Sequence, residues 1–450
     1  MNLLIVGAGK VGSTLISNFL NENHDIVVVD LAGDILGDLV NRYDVKGVVG
    51  SALERGVLLD AGVDKADFVI ACTPRDEINI LCCVLARKLG AKRTIARVRD
   101  PEYFKEMGNM KEDLGLDYFF NPELRTAKEI EQVLNFPSAK NVESFAGGIA
   151  HMVEFHIDKD NPLIGKSLKE ISKTYGNYFL IGMVERGKEV FIPHGDFVVN
   201  EGDEIHIIAS KSQIALFSKK LKMFKPRAKN VFIAGGGKIA YYLAKELIES
   251  GASVKIVEKD AVRAEEMSRA LPSATVILGD GSDQEILDEE NIKGADAFVT
   301  LTGMDEENVI MSLYAQSRGV SKVVTKIDRP SVLEMVKKLG LDTTFSPRIV
   351  IANHIIRFVR AHQAEAGTGI NTLYKFHDKV EALEFSVGEN FEGANVCLKD
   401  LHIKRNVLIG GIVRGDEFII PKGDSMILAG DKVIVVTASR QINSLSEILR

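Results

Sequence analysis

Short continuous apolar runs alternate along the first part of this chain with segments whose apolar residues recur every three or four positions. The continuous runs, which predict strands, cover residues 3–6, 26–29, 47–49, 68–71 and 94–98. The segments with helical periodicity include residues 10–20 and 78–89. Continuous apolar strands separated by helices are typical of a parallel sheet with helices on both faces. Because crossovers between parallel strands are right-handed, we predict a doubly wound α/β domain.

The pattern changes after Pro122. Residues 123–134 predict a single helix, and residues 142–210 predict short strands separated by glycine turns. One helix near residues 167–174 interrupts these strands. This region therefore predicts a smaller α+β domain.

The same segments occur twice in the chain. The glycine-rich hexapeptide that begins at Gly7 returns at Gly235, and the Ile-Pro-x-Gly-Asp motif that begins at Ile192 returns at Ile420. Both pairs are 228 residues apart. The chain is therefore a tandem duplication of a large and a small domain.

The duplication sets the expected domain limits. We expect large domains at residues 1–135 and 228–360, and small domains at residues 140–222 and 370–450. A Gly-Thr-Gly sequence at residues 367–369 predicts the linker into the last domain. The expected fold is two doubly wound parallel sheets, each followed by a small α+β domain.

A basic stretch covers the expected boundary between the two copies. Residues 211–229 carry seven lysines and arginines and no acidic residue. Such a run would suit contact with an anionic membrane surface, or it could form a solvated helix and linker. The second interpretation is favoured because charge runs usually lie on solvated faces.

Composition argues against several functional classes. A net charge of −7 over 450 residues argues against bulk nucleic-acid binding. The four cysteines have neither zinc-site spacing nor an extracellular pattern, so we expect reduced packing residues in a cytosolic protein. No apolar run approaches the roughly 18 residues of a membrane span, and the first residues carry no signal-peptide pattern. Any membrane role is therefore expected to be peripheral.

The glycine-rich hexapeptide carries the first candidate chemistry. In copy one, Gly7 allows a sharp turn out of a strand, Gly9 lets backbone amides approach a pyrophosphate, and Gly12 allows a helix to pack closely. The N-terminal N–H groups and dipole of that helix attract an anion. In copy two, Ala240 replaces the third glycine, at a position that tolerates alanine. Each loop thus predicts a Rossmann-like dinucleotide site.

An acidic residue follows each loop at the end of the next predicted strand. Asp30 and Glu258 each lie 23 residues after the first glycine of their loop. A carboxylate there accepts hydrogen bonds from the ribose hydroxyls and repels a 2′-phosphate. No arginine directly follows either acid, so we expect NAD(H) rather than NADP(H). ATP and ADP offer the same ribose and stay as alternatives.

A second motif follows the fourth predicted strand of each large domain. It runs from Thr73 to Asn79 in copy one and from Thr302 to Asn308 in copy two. Thr73 suits a helix N-cap and Pro74 the first helical position. The same segment lies at the crevice where doubly wound sheets bind ligands. Helix capping and ligand contact are therefore both expected here.

Basic residues end the fifth predicted strand. Arg97 in copy one and Lys326 in copy two stand at matching positions. Arg97 suits a contact with phosphate oxygens and equally a surface ion pair. The sequence alone leaves these two roles open.

Catalytic arrangements are not evident in the sequence. We find no Ser/His/Asp or Cys/His arrangement in convincing context and no metal-ligand spacing. A dehydrogenase needs a substrate domain with a proton donor and an anion clamp, and the small domains offer no obvious pair of that kind. We therefore predict a regulator and not an enzyme, with an NAD-dependent oxidoreductase as the alternative.

Together these motifs resemble the RCK family, domains that regulate potassium conductance. The resemblance rests on the first hexapeptide with Asp30, the Thr73 to Asn79 segment, Ala96-Arg97-Val98-Arg99 before Pro101, Asn121-Pro122-Glu123, and Gly279-Asp280-Gly281-Ser282 in copy two. It covers essentially the whole chain. Copy one departs from the pattern after its third strand, where Gly50-Ser51-Ala52 replaces the usual Gly-Asp.

The resemblance implies a set of nucleotide contacts. In copy one these are Gly7, Ala8, Gly9, Lys10, Val11, Asp30, Thr73, Pro74 and Arg97, with Gly12 completing the loop. In copy two they are Gly235, Gly236, Gly237, Lys238, Ile239, Glu258 and Thr302. The implied ligands are NAD(H) and also ATP or ADP.

The resemblance also implies an assembly and a function. It implies a homotetramer whose eight large domains form a ring beneath an integral-membrane potassium channel or transport subunit. Nucleotide binding would change the shape of the ring and gate ion flow. The expected location is the cytoplasm, on the inner face of the plasma membrane, with membrane contact only through the partner. A regulator of another cation transporter is a further alternative.

Overall fold

A computed structural model of the chain describes residues 1–20, 22, 24–362, 370–376, 379–438 and 442–450. The coordinates divide into two units. The first contains Met1–Ala127, Ile327–Pro330 and Phe345–Ile356, and the second contains Lys128–Lys326, Ser331–Thr344 and Arg357–Arg450. The linker predicted at residues 367–369 lies outside the described residues.

Residues 2–120 form the first six-stranded sheet. Its strands are β1 (Asn2–Val6), β2 (Asp25–Asp30), β3 (Lys46–Val49), β4 (Phe68–Ala71), β5 (Arg93–Arg97) and β6 (Tyr118–Phe120). The helices of this region are α1 (Lys10–Leu20), α2 (Gly33–Arg42), α3 (Arg55–Asp60), α4 (Asp76–Lys88), α5 (Pro101–Met110) and α6 (Pro122–Asn135). The strand order is β3-β2-β1-β4-β5-β6, and every pair is parallel. The predicted doubly wound sheet is therefore confirmed in copy one.

The two central strands account for the continuous apolar runs. The last four residues of β1 and all four residues of β4 are buried, because helices cover both faces of the sheet. The edge strand β3 is mostly exposed. The core thus lies around the middle of the sheet, and β1 and β4 pair side by side up to Val6 and Ala71. These strand ends lead into the first hexapeptide and the Thr73 to Asn79 segment.

Residues 142–209 form an antiparallel sheet of five strands. Its strands are β7 (Val142–Phe145), β8 (Ala150–His156), β9 (Leu180–Arg186), β10 (Glu189–Phe191) and β11 (Glu204–Ala209), in the order β10-β9-β11-β8-β7. The accompanying helices are α7 (Leu168–Tyr175) and α8 (Lys211–Lys220). Ser167 and Glu170 form a capping box at the start of α7. The helix expected near residues 167–174 is therefore confirmed.

The third sheet repeats the first. Its strands are β12 (Asn230–Ala234), β13 (Ser253–Glu258), β14 (Thr275–Leu278), β15 (Ala297–Thr300), β16 (Lys322–Lys326) and β17 (Thr344–Phe345), in the order β14-β13-β12-β15-β16-β17. The helices of this region are α9 (Lys238–Glu249), α10 (Ala261–Ala270), α11 (Gln284–Glu289), α12 (Asp305–Ser317), α13 (Pro330–Lys338) and α14 (Pro347–Ala361). The doubly wound order is thus confirmed in copy two.

The fourth sheet repeats the second. Its strands are β18 (Ile370–Phe376), β19 (Val380–Ser386), β20 (Val407–Arg414), β21 (Glu417–Ile419) and β22 (Lys432–Thr437), in the order β18-β19-β22-β20-β21. This is the order of the first small sheet read from its other edge. A short 3-10 turn, Leu398–Asp400, stands where copy one has α7.

One ion pair recurs in both small sheets. Arg186 donates through Nε and Nη2 to the two carboxylate oxygens of Asp203 at 2.7 and 2.8 Å. Arg414 makes the same bidentate contact with Asp431 at 2.8 Å for both bonds. Both aspartates are buried, and a two-bond pair of this kind fixes geometry as well as charge. The duplication thus extends to individual side-chain contacts.

The basic stretch between the copies forms α8 and a connector. Lys219 lies 5.0 Å from the ring centre of Phe224, and Lys220 lies 4.9 Å from that of Tyr178. These contacts within the chain fit the helix-and-linker interpretation. Among the described helices, none combines the length and apolar character needed to cross a bilayer.

Candidate nucleotide-binding sites

The first glycine loop (residues 7–12) joins β1 to α1 and passes over the end of β4. Gly7 has a φ of +106°, a conformation that favours glycine. A Cβ at this position would lie 3.1 Å from backbone atoms of Cys72 and Thr73. The loop therefore needs glycine here, both for its backbone conformation and for its close approach to the neighbouring strand.

The other two glycines of the first loop differ in how much space surrounds them. A Cβ at Gly9 would meet no atom of the described residues within 4 Å. A Cβ at Gly12 would lie 1.9 Å from the carbonyl oxygen of Gly7, a distance that no side chain tolerates. Gly12 thus lets α1 pack directly against the loop, and Gly9 leaves open space above it.

Helix α1 begins at the open part of this loop. Ser13 donates its N–H to the carbonyl of Gly9 at 2.9 Å, so regular helical bonding starts there. The N–H groups of the first turn have no intrahelical acceptor, and the helix dipole adds partial positive charge at this end. Gly9 and Lys10 are both exposed. This arrangement suits the binding of a pyrophosphate.

Asp30, at the end of β2, holds the loop from the side. Its Oδ2 accepts the N–H of Ala8 at 2.6 Å, and its Oδ1 accepts the N–H of Ala32 at 2.9 Å. Backbone donors thus fix the carboxylate beside the loop. Each carboxylate oxygen can accept a second hydrogen bond, through which a ribose hydroxyl can bind.

The second glycine loop (residues 235–240) repeats this plan with a longer acid. Gly236 donates its N–H to Oε2 of Glu258 at 2.6 Å, and Asp260 donates its N–H to Oε1 at 2.9 Å. A Cβ at Gly236 would lie 3.1 Å from the Glu258 side chain. A Cβ at Gly237, like one at Gly9, would meet no described atom within 4 Å. The second loop therefore has the same open centre as the first.

Arg263 is a neighbour of this acid that sequence reasoning missed. Its Nη1 lies 3.7 Å from Oε2 of Glu258, and its side chain is about half exposed. The residue directly after the acid is Lys259, whereas Arg263 lies five positions after the acid. The first turn of α10 brings the Arg263 side chain back to the Glu258 carboxylate.

The segment between β4 and α4 does not cap the helix in the predicted way. Helix α4 begins at Asp76, and its N-cap residue, Arg75, makes no side-chain cap bond with the described residues. The prediction of Thr73 as the N-cap and Pro74 as the first helical residue is therefore wrong. The helix starts later because Asn79, in its first turn, holds Thr73 outside the helix.

Asn79 is completely buried and uses its whole amide group. Its Oδ1 accepts the N–H and the hydroxyl of Thr73 at 2.8 and 2.7 Å, and its Nδ2 donates to the carbonyls of Thr73 and Arg97 at 3.1 and 3.0 Å. Asn308 makes the same four contacts with Thr302 and Lys326 at 2.8 to 3.3 Å. Sequence reasoning assigned no role to this residue, although its recurrence in both copies was a usable signal.

Arg97 lies in a buried ion pair, and not in the surface pair considered from the sequence. Its Nη2 is 3.7 Å from Oε1 of Glu123, and its side chain is 14% exposed. Arg99 donates Nε to the same oxygen at 2.7 Å. Burial lowers the pKa of the Arg97 guanidinium, and the nearby Glu123 carboxylate opposes that shift.

Three buried polar atoms of this cluster have no hydrogen-bond partner among the described residues. They are Oδ1 of Asp76, Nε of Arg97 and Oε2 of Glu123. Buried polar groups are normally paired, so such atoms mark places where water or a ligand binds. The cluster lies at the carboxyl ends of β4, β5 and β6, the same end of the sheet as the first glycine loop.

Copy two changes the charges at the matching positions. Arg97 becomes Lys326, Arg99 becomes Asp328, and Glu123 becomes Arg348. Lys326 donates Nζ to the carbonyl of Thr302 at 3.0 Å, so it braces the turn after β15. Nε of Arg348 is buried without a hydrogen-bond partner among the described residues.

The residues after the third strand also differ between the copies. In copy one, Ser51 accepts the N–H of Leu53 through Oγ at 3.3 Å. In copy two, Oδ1 of Asp280 accepts the N–H and the hydroxyl of Ser282 at 2.9 and 2.7 Å. These bonds, the backbone one most of all, lower the pKa of Asp280. Directly after the third strand, copy two therefore has a hydrogen-bonded carboxylate where copy one has the Ser51 hydroxyl.

The structure brings most of the predicted contacts together. In copy one, the glycine loop, Asp30 and Thr73 adjoin directly, whereas Pro74 is exposed and Arg97 faces Glu123. The open loop centre, the helix N-terminus and the unpaired polar atoms fit an adenine dinucleotide. The individual nucleotide contacts stay a prediction. No three His, Cys, Asp or Glu side chains of the described residues are grouped to hold a metal ion.

Two family models match the chain in tandem. The TrkA-N domain matches residues 3–122 and 231–347, and the TrkA-C domain matches residues 152–222 and 383–450. The chain belongs to the TrkA family. This membership confirms the resemblance to RCK domains inferred from the glycine loops and the motifs that follow them.

TrkA-family relatives match along the whole chain. The Trk system potassium uptake protein TrkA homolog of Archaeoglobus fulgidus is 31% identical and covers 100% of both chains. The Trk system potassium uptake protein TrkA of Haemophilus influenzae is 30% identical over 98% of this chain and 96% of its own. The similarity therefore includes both copies.

Solved structures share the fold. The GsuK channel bound to NAD superposes with a TM-score of 0.63 at 19% identity, covering 97% of this chain and 77% of that one. The GsuK RCK domain superposes with the same TM-score at 20% identity, covering 97% and 92%. The RCK-type architecture of this TrkA-family chain is thus confirmed.

Proposed function

We propose that the chain is a regulatory subunit of a potassium uptake system that binds NAD(H), and also ATP or ADP, and gates a membrane-embedded partner. One observation carries the proposal. Both large domains have a glycine loop with an open centre and an acid fixed beside it, in a chain whose relatives are named as potassium uptake proteins.

The proposed nucleotide contacts follow the loop geometry. In copy one, residues 7–12 and the start of α1 bind the pyrophosphate, Asp30 binds the ribose, and Thr73 borders the site. In copy two, residues 235–239, Glu258 and Thr302 take the same places. Pro74 is the least supported contact, because no described side-chain contact joins it to the loop. The Arg97 guanidinium is paired with Glu123, and any contact between Arg97 and phosphate would have to form from that position.

The choice of ligand rests on the acid and on solved relatives of the fold. A carboxylate beside the loop accepts from an unphosphorylated ribose, which favours NAD(H) over NADP(H). One GsuK structure contains NAD, and another, with a TM-score of 0.52, contains ADP. Both ligands present the adenosine and the pyrophosphate that each loop suits.

The proposed mechanism is a shift between two shapes of an assembly. We propose a homotetramer on the inner face of the plasma membrane, bound to it through an integral-membrane potassium subunit. A nucleotide can shift the equilibrium only by its difference in affinity for the two shapes. The proposed domain limits stay at residues 1–135, 140–222, 228–360 and 370–450.

Two other functions compete with this one. An NAD-dependent oxidoreductase would use the same loops, and a regulator of another cation transporter would use the same fold. The names of the relatives favour potassium uptake.

The test is flux through the membrane partner with the full chain present. The partner subunit is co-purified with this chain and placed in vesicles, and potassium flux is measured with NADH, NAD, ATP or ADP. We expect a nucleotide-dependent change in flux that Asp30→Ala together with Glu258→Ala abolishes. No association with the partner, or turnover of NADH with a metabolite at enzymatic rates, would contradict the proposal.

A further inference from the structure

A buried amide lies behind the ligand-facing edge of each large domain. Asn79 and Asn308 are both 0% exposed, and each holds the threonine that follows the fourth strand of its sheet. Three of the four hydrogen bonds of each amide join it to that threonine, and the fourth joins it to the carbonyl that ends the fifth strand, Arg97 or Lys326. The repeated network therefore fixes the turn after the fourth strand against the end of the fifth strand.

The surroundings determine the orientation of this amide. Nδ2 of Asn79 lies within hydrogen-bond distance of two backbone carbonyls, those of Thr73 and Arg97, and carbonyls only accept. The nitrogen must therefore occupy that side, and the oxygen must face Thr73. The same reasoning holds for Asn308, whose Nδ2 faces the carbonyls of Thr302 and Lys326.

The amide oxygen in turn determines where the threonine proton points. Oδ1 of Asn79 only accepts, and the Thr73 hydroxyl lies 2.7 Å from it, an optimal distance for an O–H···O bond. The competing carbonyl of Arg75 is 3.2 Å away. Because a hydroxyl has a single proton, Thr73 donates inward to Asn79.

With its proton committed, Thr73 offers only lone pairs to other groups. The N–H of Arg75 already approaches them at 3.4 Å. In copy two, Thr302 lies 2.8 Å from Oδ1 of Asn308 and 3.3 Å from the Met304 N–H. Both threonines thus have the same hydrogen-bond polarity.

We propose that Asn79 and Asn308 are positioning residues that make Thr73 and Thr302 hydrogen-bond acceptors for the bound nucleotide. The inference rests on the proposed nucleotide sites. Each threonine then accepts from a donor of the ligand, such as a ribose hydroxyl or a carboxamide, and does not donate to phosphate. Asn79 also fixes the carbonyl of Arg97, so it joins the ends of β4 and β5 behind the site.

A double-mutant cycle on NAD affinity tests this coupling in the full chain. The first variant carries Thr73→Val with Thr302→Val, the second carries Asn79→Ala with Asn308→Ala, and the third carries all four changes. We expect the valine pair to weaken NAD binding about fivefold, as for one lost hydrogen bond. The alanine pair should weaken it by roughly tenfold, and all four changes together by no more than the alanine pair alone.

Two controls separate positioning from general damage. Thr73→Ser with Thr302→Ser keeps the hydroxyl, so NAD affinity should stay within about twofold. Thr94→Val with Thr325→Val removes two other buried hydroxyls, and affinity should again stay within about twofold. Multiplicative losses in the cycle would overturn the inference, because the asparagines would then act independently of the threonines.

Competition by inorganic pyrophosphate tests whether the threonine hydroxyls accept hydrogen bonds from the ligand or donate them to phosphate. The valine pair should have a dissociation constant for pyrophosphate within about twofold of that of the native chain, because the threonines do not donate to phosphate. A loss of pyrophosphate affinity equal to the loss of NAD affinity would overturn the inference.

A ligand-free measurement keeps the inference testable if the proposed function fails. Should the native chain bind neither NAD nor ADP, the melting temperatures of the same variants form a second cycle. We expect the alanine pair to lower the melting temperature clearly less in the valine background than in the native chain. Equal shifts in both backgrounds would overturn the coupling on their own.

Discussion

The two glycine loops make the same hydrogen bond to a neighbouring acid with different residues. Copy one combines Ala8 with Asp30, and copy two combines Gly236 with Glu258. In both, an oxygen of the acid accepts the loop N–H at 2.6 Å. The longer side chain of Glu258 occupies the space that a methyl group on Gly236 would need. The contact between acid and loop is thus preserved while both residues change.

The two loops diverge where the helix meets the loop. A methyl group at Gly12 would lie 1.9 Å from the carbonyl oxygen of Gly7, whereas Ala240 carries such a methyl group and is completely buried. The Cβ of Ala240 must therefore lie farther from the carbonyl oxygen of Gly235 than a Cβ at Gly12 would lie from that of Gly7. The comparison shows that the hydrogen bond between loop and acid is kept in both copies, whereas the packing at the third loop position is not.

The largest expected effect of a substitution in the glycine loops comes from exchanging the third loop position. Gly12→Ala should cost about 3 kcal/mol of stability in the first large domain, because the new methyl group clashes with rigid backbone. Ala240→Gly should cost only about 1 kcal/mol. Hydrogen exchange of the β1 and β4 peptides, with β12 and β15 as the matched control, measures both. Equal costs at the two positions would contradict the difference in helix packing.

The start of the fifth strand gives the next largest contrast. β5 begins with Arg93 and β16 with Lys322, which is 6% exposed. Nζ of Lys322 donates to Oγ1 of Thr343 at 2.8 Å. The charged groups that face it are Lys225, Glu154, Asp342 and Lys140. Burial, more than these charges, lowers the pKa of Lys322 from 10.5 to about 7.

This lowered pKa predicts that stability depends on pH. Between about pH 7 and 10.5, the unfolded chain binds a proton at Lys322 that the folded chain does not. Stability should therefore rise with pH in this window, by at most about 1.4 kcal/mol per unit. Lys322→Met should flatten the rise in denaturant unfolding of the full chain, and Arg93→Met should not. An identical slope in native and Lys322→Met proteins would contradict this account.

A smaller effect tests whether the size of the second loop residue and the length of the acid depend on each other. Gly236→Ala should cost about 1 to 2 kcal/mol, because its methyl group would press on Glu258. Adding Glu258→Asp recreates the combination of copy one and should restore stability to within about 0.5 kcal/mol of the native chain. Thermal unfolding of the single and double variants makes the comparison. A double variant no more stable than Gly236→Ala alone would contradict the predicted restoration.

Local patterns predicted the sheets and the loops, because they act within a few residues. Apolar runs located β1 and β4, and the spacing of Asp30 from Gly7 placed the acid beside the loop. The prediction of an N-cap at Thr73 failed for the opposite reason, since the hydrogen bonds that Thr73 donates to Asn79 outweighed the local preference for helix capping. The partner of Arg97 is Glu123, which only the pairing of β5 with β6 brings near. Contacts made through tertiary structure were therefore beyond the sequence patterns.

The stoichiometry of NAD binding tests the central claim most directly. Calorimetry of the full chain should show two NAD sites per chain, of which Asp30→Ala removes or strongly weakens one and Glu258→Ala the other. The two changes together should remove both while leaving the chain folded. A native chain that binds no NAD, or one whose two sites persist in the double variant, would contradict the account.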